Sequence, residues 1–353
     1  MGLPEISIEF RTLSSTAIKR SERGIVAMLL KDDTDDGELR YVYTSLHKVD
    51  DSKFNEDSKF YIEQAFKEDL SKLIIERITD ENTIDKALQR VSTENFNYLC
   101  FPSGENGDNL KIASFIKEQR KNNKIFKAVL PNTQGDNEGI INYVSTCTDE
   151  NGKTYPPEKF VSRIASILAS IPFSISSTYY ELKDIVDTNV FDNPNDEIDK
   201  GKLILIKDDG VVKIGRGVNS FTTTTITKGE EFKKIRIVEI TDMIKDDIYK
   251  TMKKQYIGKV INIYDNKMMC ISTINAYLKD LVNQEILGDG ENRVDIDVEA
   301  NKNYMLSKGI PKETINQMDE SKIRKYNTGS NFYVKGSITP VDSIEDIKIS
   351  FNI

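Results

Sequence analysis

The chain has 353 residues, a formal net charge of −8, 38% hydrophobic and 30% charged residues, one His and no Trp. That length holds two or three domains with ordinary cores. The acidic balance argues against a nucleic-acid partner, which needs clustered Lys and Arg. Cys100, Cys147 and Cys270 are odd in number, far apart and outside any CxxC, which argues against a disulfide framework or a structural zinc. The opening "MGLPEISIEF" has no basic and apolar leader pattern, and the longest apolar run, "GIVAMLL", is too short to span a bilayer. A chain made in the cytoplasm, without membrane insertion, is expected.

In "PEISIEFRT", Ile6, Ile8 and Phe10 alternate with polar residues, the pattern of a half-buried strand. A polar link, "SSTAIKRSER", leads to "GIVAMLL", a fully buried strand, then to the turn "DDTDDGEL" and the strand "LRYVYTSL". From there helices and strands alternate. "DSKFYIEQAFKEDL" is helical with Ile62, Phe66 and Leu70 on one face, "KLIIERI" is a strand, "TIDKALQRV" a helix and "FNYLCFPS" a strand. "DNLKIASFIKEQRKNN" is a helix, followed by the strands "IFKAVLPN" and "GIINYVST". "PPEKFVSRIASILASIP" is a helix opened by Pro156 and Pro157, striped by Phe160, Ile164, Ile167, Leu168 and Ile171, and stopped by Pro172. Such alternation implies a largely parallel sheet with helices on its faces.

"KLILIKDDGVVKIGRG" reads as a hairpin of Leu203–Ile206 and Val211–Ile214 turning at Asp209-Gly210. Residues 230–256 and 265–287 then carry two long helical patterns, the first through Ile237, Ile240, Ile244, Ile248 and Met252. The strand "RVDIDV", short helical pieces and "NFYVKGSIT" follow. The chain closes on "SIEDIKISFNI", where Ile347, Ile349, Phe351 and Ile353 alternate with polar residues up to the last position. Both ends therefore carry the same strand pattern.

Catalytic motifs are near misses. His47 is the only histidine, and it sits beside Lys48 and Asp50 in a turn-like stretch. "GRGVNS" has Ser220 where a dinucleotide fingerprint needs its third glycine, and the β-prone "FTTTTIT" replaces the required helix. "DDTDDG" resembles a calcium loop, but its twelfth position is Tyr43 rather than Glu. No cofactor or metal site is expected. An α/β enzyme or small-molecule-binding protein, with its site at the carboxyl edge of the sheet, is the competing reading.

Three segments resemble the contractile phage tail sheath family, and specifically the short sheath proteins of Gram-positive myophages and phage-tail-like bacteriocins. They are "GLPEISIEFRTLSSTAIKRSERGIVAMLLKD", "RIVEITDMIKDDIYKTMKKQYIGKVINIYDNKMMCISTINAYLKDLVNQEIL" and "FYVKGSITPVDSIEDIKISFNI". They cover about a third of the chain, near its two ends.

The resemblance implies an α/β (α+β overall) fold: a mixed sheet flanked by helices, subtilisin-like in topology without a catalytic site, plus β-strand arms at both termini. It implies a structural subunit, not an enzyme, that polymerises helically with itself around an inner tail tube protein. Contraction would drive the tube through a cell envelope, with baseplate and tail terminator proteins as further partners. The subunit would be made in the bacterial host cytoplasm and assembled into a virion tail or phage-tail-like particle. On this reading 1–22 is an N-terminal arm, 23–90 a small β/α domain, 91–228 a central α/β domain, 229–330 a helical/β sheath domain and 331–353 a strand arm.

The arms would be exchanged between subunits by β-augmentation through Ile6, Ile8, Phe10, Ile347, Ile349, Phe351 and Ile353. Ser14, Ser15 and Thr16 at one end, and Thr339, Pro340 and Val341 at the other, would be hinges. Lys250, Lys253, Lys254 and Lys259 cluster near the end of a long helix; they read either as a solvated helix end, where cations suit the helix dipole, or as the contact with an acidic inner tube.

Overall fold

A computed structural model describes residues 17–20, 22–34, 38–102 and 104–352. Its contacts divide into two units. One is Ser21–Asp246 with Asp342–Ile353; the other contains Asp247–Val341.

In the larger unit, β1 (Ile25–Lys31), β2 (Arg40–Tyr43), α1 (Glu56–Phe66), β3 (Lys72–Ile78), α2 (Ile84–Val91), β4 (Tyr98–Cys100), α3 (Asn106–Lys121), β5 (Lys127–Pro131) and β6 (Ile140–Tyr143) follow in turn. After them come β7 (Cys147–Asp149), β8 (Thr154–Tyr155), α4 (Pro157–Ser170), β9 (Ile185–Thr188), α5 (Pro194–Asp199), β10 (Lys202–Leu203), β11 (Leu205–Asp208) and β12 (Val211–Ile214). A seven-stranded sheet has the order β10-β6-β5-β4-β1-β3-β2. Its pairs are parallel except β2 on β3, at the edge.

The central strand β1 is apolar from Ile25 to Leu30 because both its faces are covered there. Val26, Met28 and Leu30 enter one core with Ile62 of α1 and Phe160, Ile164 and Leu168 of α4. Ile25, Ala27 and Leu29 enter the other with Leu88 of α2 and Ile112 and Ile116 of α3. The period-2 pleat thus sorts one strand between two helical layers.

Two sequence expectations change here. The helix at Pro157 is buried around nearly its whole circumference, including Ser162, Arg163 and Ser166. It packs against both α1 and the sheet, so its apolar stripe marks only part of its buried surface. Leu70 lies beyond the end of α1 at Phe66. The hairpin turns where expected: β11 and β12 pair antiparallel around Asp209 (φ 50°) and Gly210 (φ 79°), both left-handed as a type I′ turn requires, but its first strand is Leu205–Asp208, and Leu203 pairs instead in β10 of the main sheet. The β-prone "FTTTTIT" forms no strand; its one pairing is the Thr225–Lys228 bridge of a tight turn.

Helix α6 (Ile235–Gln255) begins in the larger unit and carries the chain into the second. There α7 (Tyr264–Asn283), β13 (Arg293–Ile296), α8 (Val298–Ser307), α9 (Lys312–Asn316), α10 (Glu320–Lys325) and β14 (Val334–Ser337) follow. Tyr277 Oη donates to Asp247 (2.7 Å), and the Tyr256 and Thr273 hydroxyls lie 3.2 Å apart, tying α7 to the end of α6. A small core of Met305, Ile315 and Ile323 holds the three short helices. Among the described residues no helix is long and apolar enough to cross a membrane.

Candidate assembly surfaces

The start of α6 is fixed by buried charge. Glu239 and Asp242, three residues apart on one helix face, point at the amino ends of the parallel strands. Glu239 accepts from Tyr98 Oη (2.6 Å) and Arg23 (2.8 Å) and pairs with Lys127 at 3.2 Å. Asp242 accepts two bonds from Arg120 (2.8 and 3.0 Å) and one from Lys127 (3.4 Å). Arg120 continues to Glu138, which Lys228 also reaches at 2.7 Å. Burial pushes the three carboxyls up, but Lys127 and Arg23 at Glu239, Arg120 and Lys127 at Asp242, and Arg120 and Lys228 at Glu138 outweigh it and hold each below its ordinary value.

The C-terminal segment is built in four stretches. First, β14 pairs antiparallel with β13. An added Cβ at Gly336 would lie 2.3 Å from Arg293 O, so the ribbon closes on a glycine. The outer edge of β13 is capped: Val294 N donates to Asn275 Oδ1 (2.8 Å), and Asn275 Nδ2 donates to Val294 O (3.0 Å). Asp297 N donates to Tyr333 O on the inner side. Antiparallel alternation then points the backbone groups of Val334 and Gly336 outward. No hydrogen bond among the described residues closes that edge.

Second, Thr339 and Val341 are held rather than free. Gly288 N donates to Thr339 O (2.8 Å) and Val341 N to Ile286 O (3.0 Å). Thr339 N donates to Asn292 Oδ1 at 2.7 Å. The hinge expected at 339–341 is therefore occupied by backbone bonds that local sequence does not announce.

Third, residues 342–346 bring three carboxylates against a basic patch of the larger unit. Lys234 pairs with Asp342 and lies 3.3 Å from Glu345. Arg216 reaches both Asp346 oxygens at 2.7 Å and Glu345 at 3.5 Å. Glu345 also accepts from Thr178 Oγ1 (2.6 Å) and Ser176 Oγ (3.1 Å). The Arg216 guanidinium holds the Asp346 carboxyl below its ordinary value.

Fourth, from Ile347 onward the chain stands out from the body. Residues 347–352 form no strand, and Ile347, Ile349 and Phe351 are 75%, 72% and 83% exposed. The alternation is present but the ladder is not, because a strand needs a second backbone to bond to. Ile6, Ile8, Phe10 and Ile353, with Ser14, Ser15 and Thr16, lie outside the described residues.

Lys250, Lys253 and Lys254 occupy the exposed last turns of α6, and Lys259 the loop after it. Lys253 lies over the Tyr249 ring at 5.9 Å, and Lys259 donates to Lys254 O. Sequence reading missed their apolar neighbours, Ile257 and Ile261, which are 68% and 75% exposed. At the carboxyl edge of the sheet, Lys31 at the end of β1 pairs with Glu105 (3.3 Å) and Asp108 (3.4 Å) beyond β4. His47 is exposed on a 3-10 turn, Leu46–Lys48.

Residues 227–353 match the phage tail sheath C-terminal domain family. A tail sheath protein of Clostridium phage phiCD119 is 36% identical over 361 residues, spanning 99% of this chain and 98% of that one. The chain belongs to the phage tail sheath family. This sheath protein is a structural component of a phage tail or phage-like particle, not an enzyme. Its fold, a mostly parallel sheet flanked by helices, is also that of solved sheath structures. A sheath tail protein of Desulfitobacterium hafniense superposes with a TM-score of 0.75 at 16% identity, covering 97% of this chain and 98% of that one. The contracted helical sheath of the anti-feeding prophage gives 0.69 at 13% identity, covering 100% and 99%.

Proposed function

We propose that this sheath protein is the repeating subunit of a contractile sheath that polymerises helically around an inner tube, and that its terminal strands are exchanged between subunits by β-augmentation. Contraction would drive the tube through a cell envelope. One observation carries the exchange: among the described residues the segment from Ile347 has a strand's alternation and no strand partner, while β14 has an edge that none of them closes. A second copy supplies what each lacks. Ladder hydrogen bonds give the affinity, and Ile347, Ile349 and Phe351 add apolar burial of about 1.5–3 kcal/mol each. The Ile6, Ile8 and Phe10 strand would serve likewise at the other end, with Ile353 completing the C-terminal one.

The neighbour seen in a contracted helical sheath supports contraction by likeness of fold. Lys250, Lys253, Lys254 and Lys259 would meet an acidic inner tube. Baseplate and tail terminator proteins would hold the ends of the polymer, and assembly would follow synthesis in the host cytoplasm. The body between arms 1–22 and 331–353, divided at 23–90, 91–228 and 229–330, would keep a subtilisin-like topology without its chemistry.

Removing residues 347–353 tests exchange directly. The shortened chain should melt as the full chain does, because the exposed segment stabilises nothing within its own subunit. It should form no tubes by negative-stain microscopy at concentrations where the full chain does. Tubes of normal length from the shortened chain would sink the reading.

A further inference from the structure

The exchange reading leaves open which part of the C-terminal segment changes partners. The contacts of residues 342–346 bear on it. Asp342, Glu345 and Asp346 are all engaged by the body of their own subunit, and the Glu345 side chain is almost wholly buried there. The cradle is itself organised. Gly217 N donates to Thr178 Oγ1 (2.9 Å), and Ser176 Oγ accepts from Thr178 N (3.1 Å), so the two hydroxyls that reach Glu345 are set by backbone bonds. An added Cβ at Gly217 would lie 2.3 Å from Ser177 Oγ, so the loop carrying Arg216 approaches this turn closely. Lys234 comes immediately before α6, whose first turns are fixed by the Glu239 and Asp242 pairs. Both cations therefore stand on rigid supports; Ile344 between their partners is exposed, and from Ile347 onward no described side chain is held by an ion pair or hydrogen bond to the body.

We propose that Lys234, Arg216 and the Ser176–Thr178 turn form a clamp that keeps Asp342–Asp346 on the parent subunit, so that only the chain from Ile347 onward is exchanged and its point of exit is set before a neighbour is met. This rests on the exchange reading and adds a positioning device to it. Clamped at Asp346, the seven residues 347–353 can reach about 23 Å as an extended strand. Released from Val341, twelve residues can reach about 40 Å, but a longer tether dilutes its own end. With effective concentration falling roughly as the −3/2 power of tether length, loss of the clamp lowers it about 2.2-fold per arm, before any loss of preset direction. Ion pairs that are partly exposed are also screened by salt.

Two variants approach the clamp from opposite sides. Lys234→Ala with Arg216→Ala alters the body. Asp342→Asn with Glu345→Gln and Asp346→Asn alters only the segment, so a folding defect in the body does not confuse its result. Hydrogen exchange on the soluble full-length subunit should show faster amide exchange across 342–346 in both variants. Light scattering should show the critical concentration for tubes raised by about threefold or more, and raising salt should move the wild type toward the variants. Unchanged exchange, or faster exchange with an unchanged critical concentration, would overturn the clamp. If the wild type forms tubes that the 347–353 truncation abolishes, loss of the clamp leaves the exchange reading standing. Tubes from the truncated chain would overturn exchange and the clamp together.

Discussion

At the residue scale the decisive feature is charge placed inside the molecule. Lys127 and Asp242 are nearly inaccessible, yet each is paired and hydrogen-bonded. Such a network contributes little net stability when intact, but removing one member strands the others in a low dielectric. Asp242→Ala leaves Arg120 and Lys127 without their shared carboxylate and should cost about 3–5 kcal/mol, read as a lower urea midpoint. The same carboxyls govern acid behaviour. Glu239, Asp242 and Glu138 have folded pKa values below their unfolded ones, so their stabilisation is complete above the unfolded values and lost as pH falls through the folded ones. Asp136, held down to about 2 by the Thr222 and Thr223 backbone N–H groups against the opposing effect of burial, follows the same sign. Thermal midpoints should hold from neutral pH to about pH 5 and fall steeply below about pH 4; a flat profile down to about pH 2 would contradict the network's role.

At the element scale, the same alternation has different outcomes in different places. "KLIIERI" became β3 because β1 and β2 flank it, whereas "IKISF" forms no strand because no backbone among the described residues pairs with it. Ile349→Pro discriminates between a strand in waiting and a loose end. Proline removes an N–H and disfavours an interior ladder position, so tubes should be lost, while the stability of the free subunit stays within about 0.5 kcal/mol of the wild type. The ribbon edges differ in a parallel way. Asn275, on α7, caps Val294 and so closes one edge, while no described residue closes the outer edge of β14. That side-chain cap joins positions 19 residues apart and has no signature in local sequence.

At the scale of the whole molecule, exposed lysines at the end of α6 sit beside exposed Ile257 and Ile261, a mixed surface suited to a separable contact. Lys253→Glu with Lys254→Glu should leave folding unchanged and weaken sheath assembly on an acidic tube by on the order of tenfold, with the effect shrinking as salt rises. Unaltered assembly at low salt would assign these residues to solvent.

The alternating β/α order, the Asp209-Gly210 hairpin and the two long helices were legible because each rests on local physics: hydrophobic period, turn chemistry and capping. The alternation at the C-terminal end was legible for the same reason, although residues 347–352 form no strand. What no local pattern contains is the pairing of groups distant along the chain. Arg120 meets Asp242 across 122 positions, and Thr178 meets Glu345 across 167. Only the tertiary structure decided that these charged residues are internal supports and that Thr339, Val341, Asp342, Glu345 and Asp346 are fastened, while residues 347–352 form no strand. Periodicity determines which face of a segment seeks burial, whereas the identity of its partner depends on where the folded backbone brings the two together.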